Sequence, residues 1–303
     1  MELSSIVAIQ VMIVFILILV GFIMKKTNMI DDSGSKQLTN ILLLIVTPCV
    51  LINSYQKEFK PDLAMNLLIA TLFSLALHIL MSIAGTLIYR KEPTNNYRIN
   101  IFSVASSNCG FMAIPLLTAV LGDMGVFYGS GYLAIFNIFF WTYGVCLFTG
   151  DIKSLSIKKA ILNPGVIGTV IGLIFFITGI TLPKIIIEPI RYLSGLNTPL
   201  AMILLGYYLA NIDLKKTLTK ISIYTVSLLR LIVFPIFAIF LAKLINFDQT
   251  ATSAVIIAVS CPIATVTPLF ASKFGLDAGY ASELVSVSTL LSIITIPLVM
   301  LLV

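Results

Sequence analysis

A few residues in this chain combine reactive chemistry with an apolar setting, and their spacing says what that chemistry could be. Arg230 and His78 each stand mid-way along an apolar run, 152 positions apart. A cation at the centre of a bilayer costs at least about 2.5 kcal/mol on insertion scales, so such a group faces the bundle interior or a watery cavity. Arg230 is permanently charged and has a planar fork that grips a carboxylate through two hydrogen bonds. It is the preferred charge-compensating residue for an anion; a structural pair with Glu283, or with exposed carbonyls, is the competing reading. His78 titrates near neutral pH and is a candidate proton relay, or a packing residue. Glu283 lies among Ser282, Ser286, Ser288 and Thr289 and is a candidate for a coupling proton or Na+, with Ser286 beside it. An interfacial carboxylate near a helix N-terminus is the alternative.

Two further clusters concern the main chain itself. Ser106-Ser107-Asn108-Cys109-Gly110 is followed by Pro115, and Ser260-Cys261-Pro262 by Thr265, Thr267 and Pro268. Proline removes a backbone donor and glycine loosens the helical ladder, so both stretches are expected to interrupt helices. In hydrocarbon, freed backbone groups survive only when buried in protein or lining a water-filled cavity. A helix that starts at such a break points a positive N-terminus at the gap, which suits an anion; freed carbonyls would suit a cation. The expected substrate-binding residues are therefore Asn108, Cys109, Gly110, Arg230, Cys261 and Pro262, with Pro115, Pro262 and Pro268 marking the breaks.

Other chemistries lack their residues. Cys49, Cys109, Cys146 and Cys261 all lie in apolar segments without metal spacing, and the single histidine excludes most metal motifs. No serine–histidine–aspartate order or paired carboxylate supports an enzyme, and no phosphate-binding loop supports ATP-driven pumping. No cofactor is expected beyond a coupling proton or Na+.

The elements that must hold these residues are membrane helices. Of 303 residues 59% are apolar and 11% charged, with mean hydropathy +1.07. Apolar runs recur at 5–24, 37–55, 62–89, 99–120, 125–149, 163–181, 188–210, 220–245, 250–272 and 279–302. Read one by one, they predict an all-α protein of ten transmembrane helices. The first run lacks a basic leader and a cleavage site, so it is expected to stay in the mature protein. The net charge of +6 comes from basic clusters between runs, a topology signal and not a nucleic-acid surface. One alternate set of loops holds 13 of the Lys and Arg residues (among them Lys25, Lys26, Lys153, Lys215, Lys216 and Lys220) and the other set holds 5. The positive-inside rule then makes the richer set cytoplasmic and puts both termini outside the cytoplasmic membrane.

The chain also matches itself. Pro115 and Gly122 correspond to Pro268 and Gly275, Thr47-Pro48 to Thr198-Pro199, Gly21 to Gly172 and Tyr128 to Tyr280, at offsets of 151 to 153. Halves at 1–152 and 153–303, each with an odd number of runs, predict two inverted five-helix repeats with crossed broken helices, the fourth and the ninth.

The run Asn108-Cys109-Gly110-Phe111-Met112-Ala113-Ile114-Pro115-Leu116-Leu117 resembles the first crossover of the auxin efflux carrier family. Pro262-Ile263-Ala264 through Pro268-Leu269-Phe270-Ala271 and Phe274-Gly275 is similar to its second, and Asn163-Pro164 also matches. The resemblance implies a fold akin to sodium/proton antiporters and bile-acid symporters. Runs 1, 2, 6 and 7 would form a scaffold and homodimer contact, and runs 3–5 and 8–10 an elevator-like transport domain. The short Gly150–Lys159 link implies a compact prokaryotic member, for which malate- or malonate-type carboxylates are the usual assignment. The expectation is thus a secondary transporter or uniporter for a small organic anion. A cation/proton exchanger of the same fold, an exporter of auxin-like aromatic acids and a non-transporting membrane sensor are the alternatives.

Overall fold

The computed structural model describes residues 3–92, 96–154, 157–210 and 220–303. Lys215 and Lys216, counted above for topology, lie outside them. Twelve main helices follow in order: α1 (Leu3–Lys26), α2 (Asp32–Ser54), α3 (Pro61–Tyr89), α4 (Asn96–Ala105), α5 (Cys109–Thr149) and α6 (Pro164–Thr178). Then come α7 (Lys184–Gly195), α8 (Asn197–Leu209), α9 (Ile221–Ile245), α10 (Gln249–Ser260), α11 (Thr267–Lys273) and α12 (Ala278–Met300). A one-turn helix, Ile157–Ile161, leads into α6.

Burial sorts the helices into outer and inner. On α1, Val11, Val14 and Ile18 are buried while Met12, Ile16, Leu19 and Ile23 are exposed. On α3, Ala70, Phe73, Leu77 and Met81 face inward while Leu68, Leu72, Leu75, Ile79 and Ile83 face out. Exposed apolar stripes of this extent belong in lipid. By contrast, α4 is buried from Ile99 to Ala105 and α10 from Ser253 to Ser260, so both are wrapped by protein. The polar residues that end α4 and α10 are therefore held in the middle of the bundle.

Prolines shape the longer helices in one repeated way. Pro48, Pro115 and Pro235 each sit at the start of a regular helical stretch, directly after a widened π turn: Leu42–Val46, Cys109–Ala113 and Leu229–Val233. The wider turn makes room for the proline ring where a regular one would clash with the preceding turn. Thr47 Oγ1 donates to the Leu42 carbonyl at 2.9 Å, adding a second donor to the acceptor that the Thr47 backbone amide reaches across the widened turn.

The expectation of ten spanning helices, arranged as two inverted five-helix repeats with crossed broken helices, is corrected here. Six described helices are long and apolar enough to cross a membrane, or seven if the pair Ile152–Ile161 and Pro164–Thr178, bent by 48°, counts as one. The reason is that apolar runs are not helices. The run 188–210 divides into α7 and α8, and 250–272 into α10 and α11; the runs 99–120 and 125–149 share the single element α5, with α4 standing apart. A ten-residue helix such as α4 rises about 15 Å, half of a hydrocarbon core.

Candidate functional site

The two interruptions meet. After α4 the chain runs extended, and Ser107 pairs with Ile263 in an isolated antiparallel bridge. The Asn108 amide donates to the Pro262 carbonyl at 2.7 Å, and the Ala264 amide to the Ser106 carbonyl at 3.1 Å. From α12, Ser288 Oγ accepts the Ile263 amide at 3.2 Å. Non-helical backbone deep in the molecule is thus satisfied by its counterpart, as a low-dielectric setting demands.

Arg230, on the π turn of α9, is fully buried and holds both breaks from behind. Its Nη2 donates to the Val259 carbonyl at 2.8 Å, its Nε to the Cys261 carbonyl at 3.2 Å, and its Nη1 to the Val104 carbonyl at 3.4 Å. Nη1 also approaches Met81 Sδ at 3.4 Å. Val104 lies in the last turn of α4 and Val259 in the last turn of α10, so the guanidinium sits at the negative ends of two helices. No carboxylate contacts it among the described residues. Glu283, its suggested partner, pairs with Lys220 at 2.5 Å instead. Among the described residues the buried cation is met by carbonyl dipoles and by no carboxylate, which leaves a net positive charge beside the breaks.

In front of the breaks lies a cavity of about 250 Å³ lined by Ser107, Asn108 and Gly110. Asn108 is 2% exposed and Ser107 0%, and Asn108 Nδ2 and Ser107 Oγ have no hydrogen-bond partner among the described residues. Buried polar atoms rarely remain unpaired, and those that do call for an explanation. The helical run that begins at Cys109 has no side-chain cap at Asn108 and turns the positive end of its first turn toward the break. Phe111, Phe136, Phe140 and Trp141 supply apolar walls. A second cavity, of about 510 Å³, shares Phe111, Thr265, Val266 and Leu269 with the first and is lined by Glu283, Ser286 and Pro268.

The expected site residues therefore separate by depth. Asn108 and Gly110 face the smaller cavity, while Glu283, Ser286 and Pro268 face the larger one. Cys109, Cys261, Pro262 and Arg230 line neither and form the layer behind. Pro115 is buried at the start of a regular stretch of α5, past the break. His78 lies apart in an aromatic box, 4.8 Å from the Tyr132 ring and 5.3 Å from that of Phe139 between centroids. Its Nδ1 donates to the Ser74 carbonyl at 2.8 Å and its Nε2 has no partner among the described residues. Sequence reasoning missed Ser107, Asn137 and Asn163 as cavity residues. An asparagine inside the apolar run 125–149 was the available signal for Asn137. Among the described residues no group of three or more His, Cys, Asp or Glu could hold a metal ion.

A family model described as Membrane transport protein matches residues 6–157 and 149–300. The chain belongs to that family. An uncharacterized transporter of Methanothermobacter thermautotrophicus is 26% identical to it over 300 residues, 95% of each chain. An uncharacterized transporter of Methanocaldococcus jannaschii is 24% identical over 302 residues, 95% of this chain and 96% of its own. This membrane transport protein is thus a multi-pass transporter and not an enzyme, in keeping with the coarse form of its resemblance to auxin efflux carriers.

Proposed function

We propose that the transporter moves a small organic anion, a carboxylate such as malate or malonate, as a secondary transporter or uniporter. The observation that carries this reading is a pair of buried polar groups, Ser107 Oγ and Asn108 Nδ2, that lack a hydrogen-bond partner among the described residues and belong to the lining of one cavity, with Arg230, which no described carboxylate contacts, behind them. A carboxylate accepts hydrogen bonds only, so it fits donors and nothing else. The first-turn amides at Gly110 add their dipoles. In this reading Arg230 acts through its field and through the breaks it holds, while Asn108 and Gly110 touch the substrate. Cys109, Cys261 and Pro262 shape the backbone beneath it.

The motion proposed is elevator-type alternating access. Segments 5–55 and 163–210 would stay fixed as a scaffold, and 62–149 and 220–302 would carry the site. Backbone-to-backbone packing of α1 on α8 supports a rigid scaffold: a Cβ at Gly21 would lie 2.1 Å from the Ile203 carbonyl oxygen, and one at Gly206 1.9 Å from that of Ile18. The larger cavity, with Glu283 and Ser286 on its wall, is the proposed place for a coupling proton or Na+.

Counterflow of labelled malate in proteoliposomes, with and without a proton or sodium gradient, tests the whole reading. Uptake above that of empty liposomes is expected, and Asn108→Ala should weaken apparent affinity about ten- to a hundred-fold, the worth of one hydrogen bond to a charged group. Absence of counterflow for malate and malonate alike would remove the carboxylate assignment.

A further inference from the structure

We propose that Tyr55 and Ser130, with Phe127 and Phe176 packed around them, form the gate that closes the extracytoplasmic side of the transporter. The proposal rests on the alternating-access reading above and not on the identity of the substrate.

The two ends of the bundle differ. The larger cavity lies between α2 and α8, which supply Thr39, Leu43 and Tyr208, and α11 and α12, which supply Pro268 and Ser282. It reaches the surface at Ser272 and Gly279, both exposed, which flank residues 273–277. Lys273 belongs to the set of loops rich in Lys and Arg, so this mouth opens on the cytoplasmic face.

At the far end of α2 the gap is shut. Tyr55 follows the last residue of that helix, beside Lys57 and Lys60 of the opposite set of loops. Tyr55 Oη lies 2.6 Å from Ser130 Oγ. Ser130 Oγ also donates to the Phe127 carbonyl at 2.6 Å. A hydroxyl has one proton to give and a carbonyl only accepts, so Tyr55 is the donor across the gap. Its ring meets that of Phe127 edge-on at 5.0 Å between centroids, and Phe127 meets Phe176 of α6 at 5.1 Å. All four residues are buried. The Tyr55 ring rests on the backbone of α6, for a Cβ at Gly172 would lie 2.6 Å from it. Asn53 Nδ2, one turn earlier on α2, donates to Asp123 Oδ1 at 3.4 Å.

Tyr55 and Phe176 lie in the proposed scaffold, whereas Phe127 and Ser130 lie on α5, which begins at the first break. The contact therefore spans the boundary along which the two parts must slide. A buried hydroxyl stripped of its partner costs free energy until water reaches it, so this bond favours the state open to the cytoplasm.

The test uses the full chain without its native cysteines and with Thr265→Cys as the reporter, because Thr265 lines both cavities. An impermeant maleimide is applied to intact cells and to inside-out vesicles. The parent reporter should label faster from the cytoplasmic side. Tyr55→Phe keeps the ring and removes the donor, so the outside-to-inside ratio of labelling rates should rise about two- to ten-fold, the population shift that one hydrogen bond sustains. Ser130→Ala removes the acceptor of the same bond and should give a similar rise. The double variant should then exceed neither single one. An unchanged ratio in both single variants would overturn the gate, whatever their melting temperatures. Additive effects in the double variant would overturn the bond as the lock. Faster labelling of the parent from outside would overturn the choice of closed face. Equal labelling from both sides in every variant would remove alternating access together with the gate, whereas failure to transport malate would leave the gate standing.

Discussion

At the scale of single residues, the position of Arg230 is decided by what surrounds it. Three carbonyls from two helix ends take its nitrogens at 2.8 to 3.4 Å, and no carboxylate neutralises it among the described residues. Lysine keeps the charge and loses the planar fork, so Arg230→Lys separates the field of this residue from its geometry. The expected outcome is a loss of at least about 1.5 kcal/mol of stability, for one charge-assisted hydrogen bond that cannot be remade. Thermal unfolding in detergent checks that value. Malate counterflow should fall in parallel, since the breaks that present Asn108 would lose their common anchor. Full transport by a destabilised Arg230→Lys variant would show that the charge suffices. Asn108 is the complementary case, a residue whose side-chain Nδ2 remains without a partner among the described residues and whose replacement should affect binding more than folding.

At the scale of elements, the chain changes direction where backbone chemistry requires it. Gly122 divides α5 with φ 61° and ψ −153°, a region open in practice to glycine alone. A Cβ there would meet nothing within 4 Å, so the cost of Gly122→Ala lies wholly in the backbone. The expected destabilisation is about 1–3 kcal/mol, read as a lower melting temperature. A side-chain clash plays no part, so a larger residue such as serine should cost about the same as alanine. Unchanged stability of both variants would show that the bend does not depend on glycine. The π turns ahead of Pro48, Pro115 and Pro235 follow the same logic with the opposite residue: proline takes away a donor, and the helix widens by one residue to accommodate the ring.

At the scale of the whole molecule, two observations lead to measurements. The glycine contact between α1 and α8 brings backbones together so closely that Gly206→Val must push the helices apart, because the added atoms would fall on the Ile18 carbonyl. Gly195→Ala, with nothing within 4 Å, is the matched control. The first should lower the melting temperature well below the second; equal values would remove this contact from the scaffold argument. Orientation is testable by thiol labelling in a cysteine-free background. The distribution of Lys and Arg predicts that Glu58→Cys reacts with an impermeant maleimide in intact cells, and that Asp151→Cys reacts only after permeabilisation. The reverse pattern would invert the topology.

Sequence alone determined that this chain lives in a membrane and where its backbone would open. Lipid tolerates little charge, and Ser106–Gly110 and Ser260–Pro262 are poor helix material wherever they lie. Composition could not determine how many helices cross, because an apolar run reports a solvent preference while glycine, proline and polar turns decide where a helix ends. Only the tertiary structure showed that the two openings hydrogen-bond to each other, that Arg230 binds their carbonyls and leaves Glu283 to Lys220, and that Asn137 and Asn163 join Asn108 in one cavity. Carbonyl partners leave no trace in side-chain identity, and a cavity is made by residues distant in the chain, so neither could be read before the helices were packed.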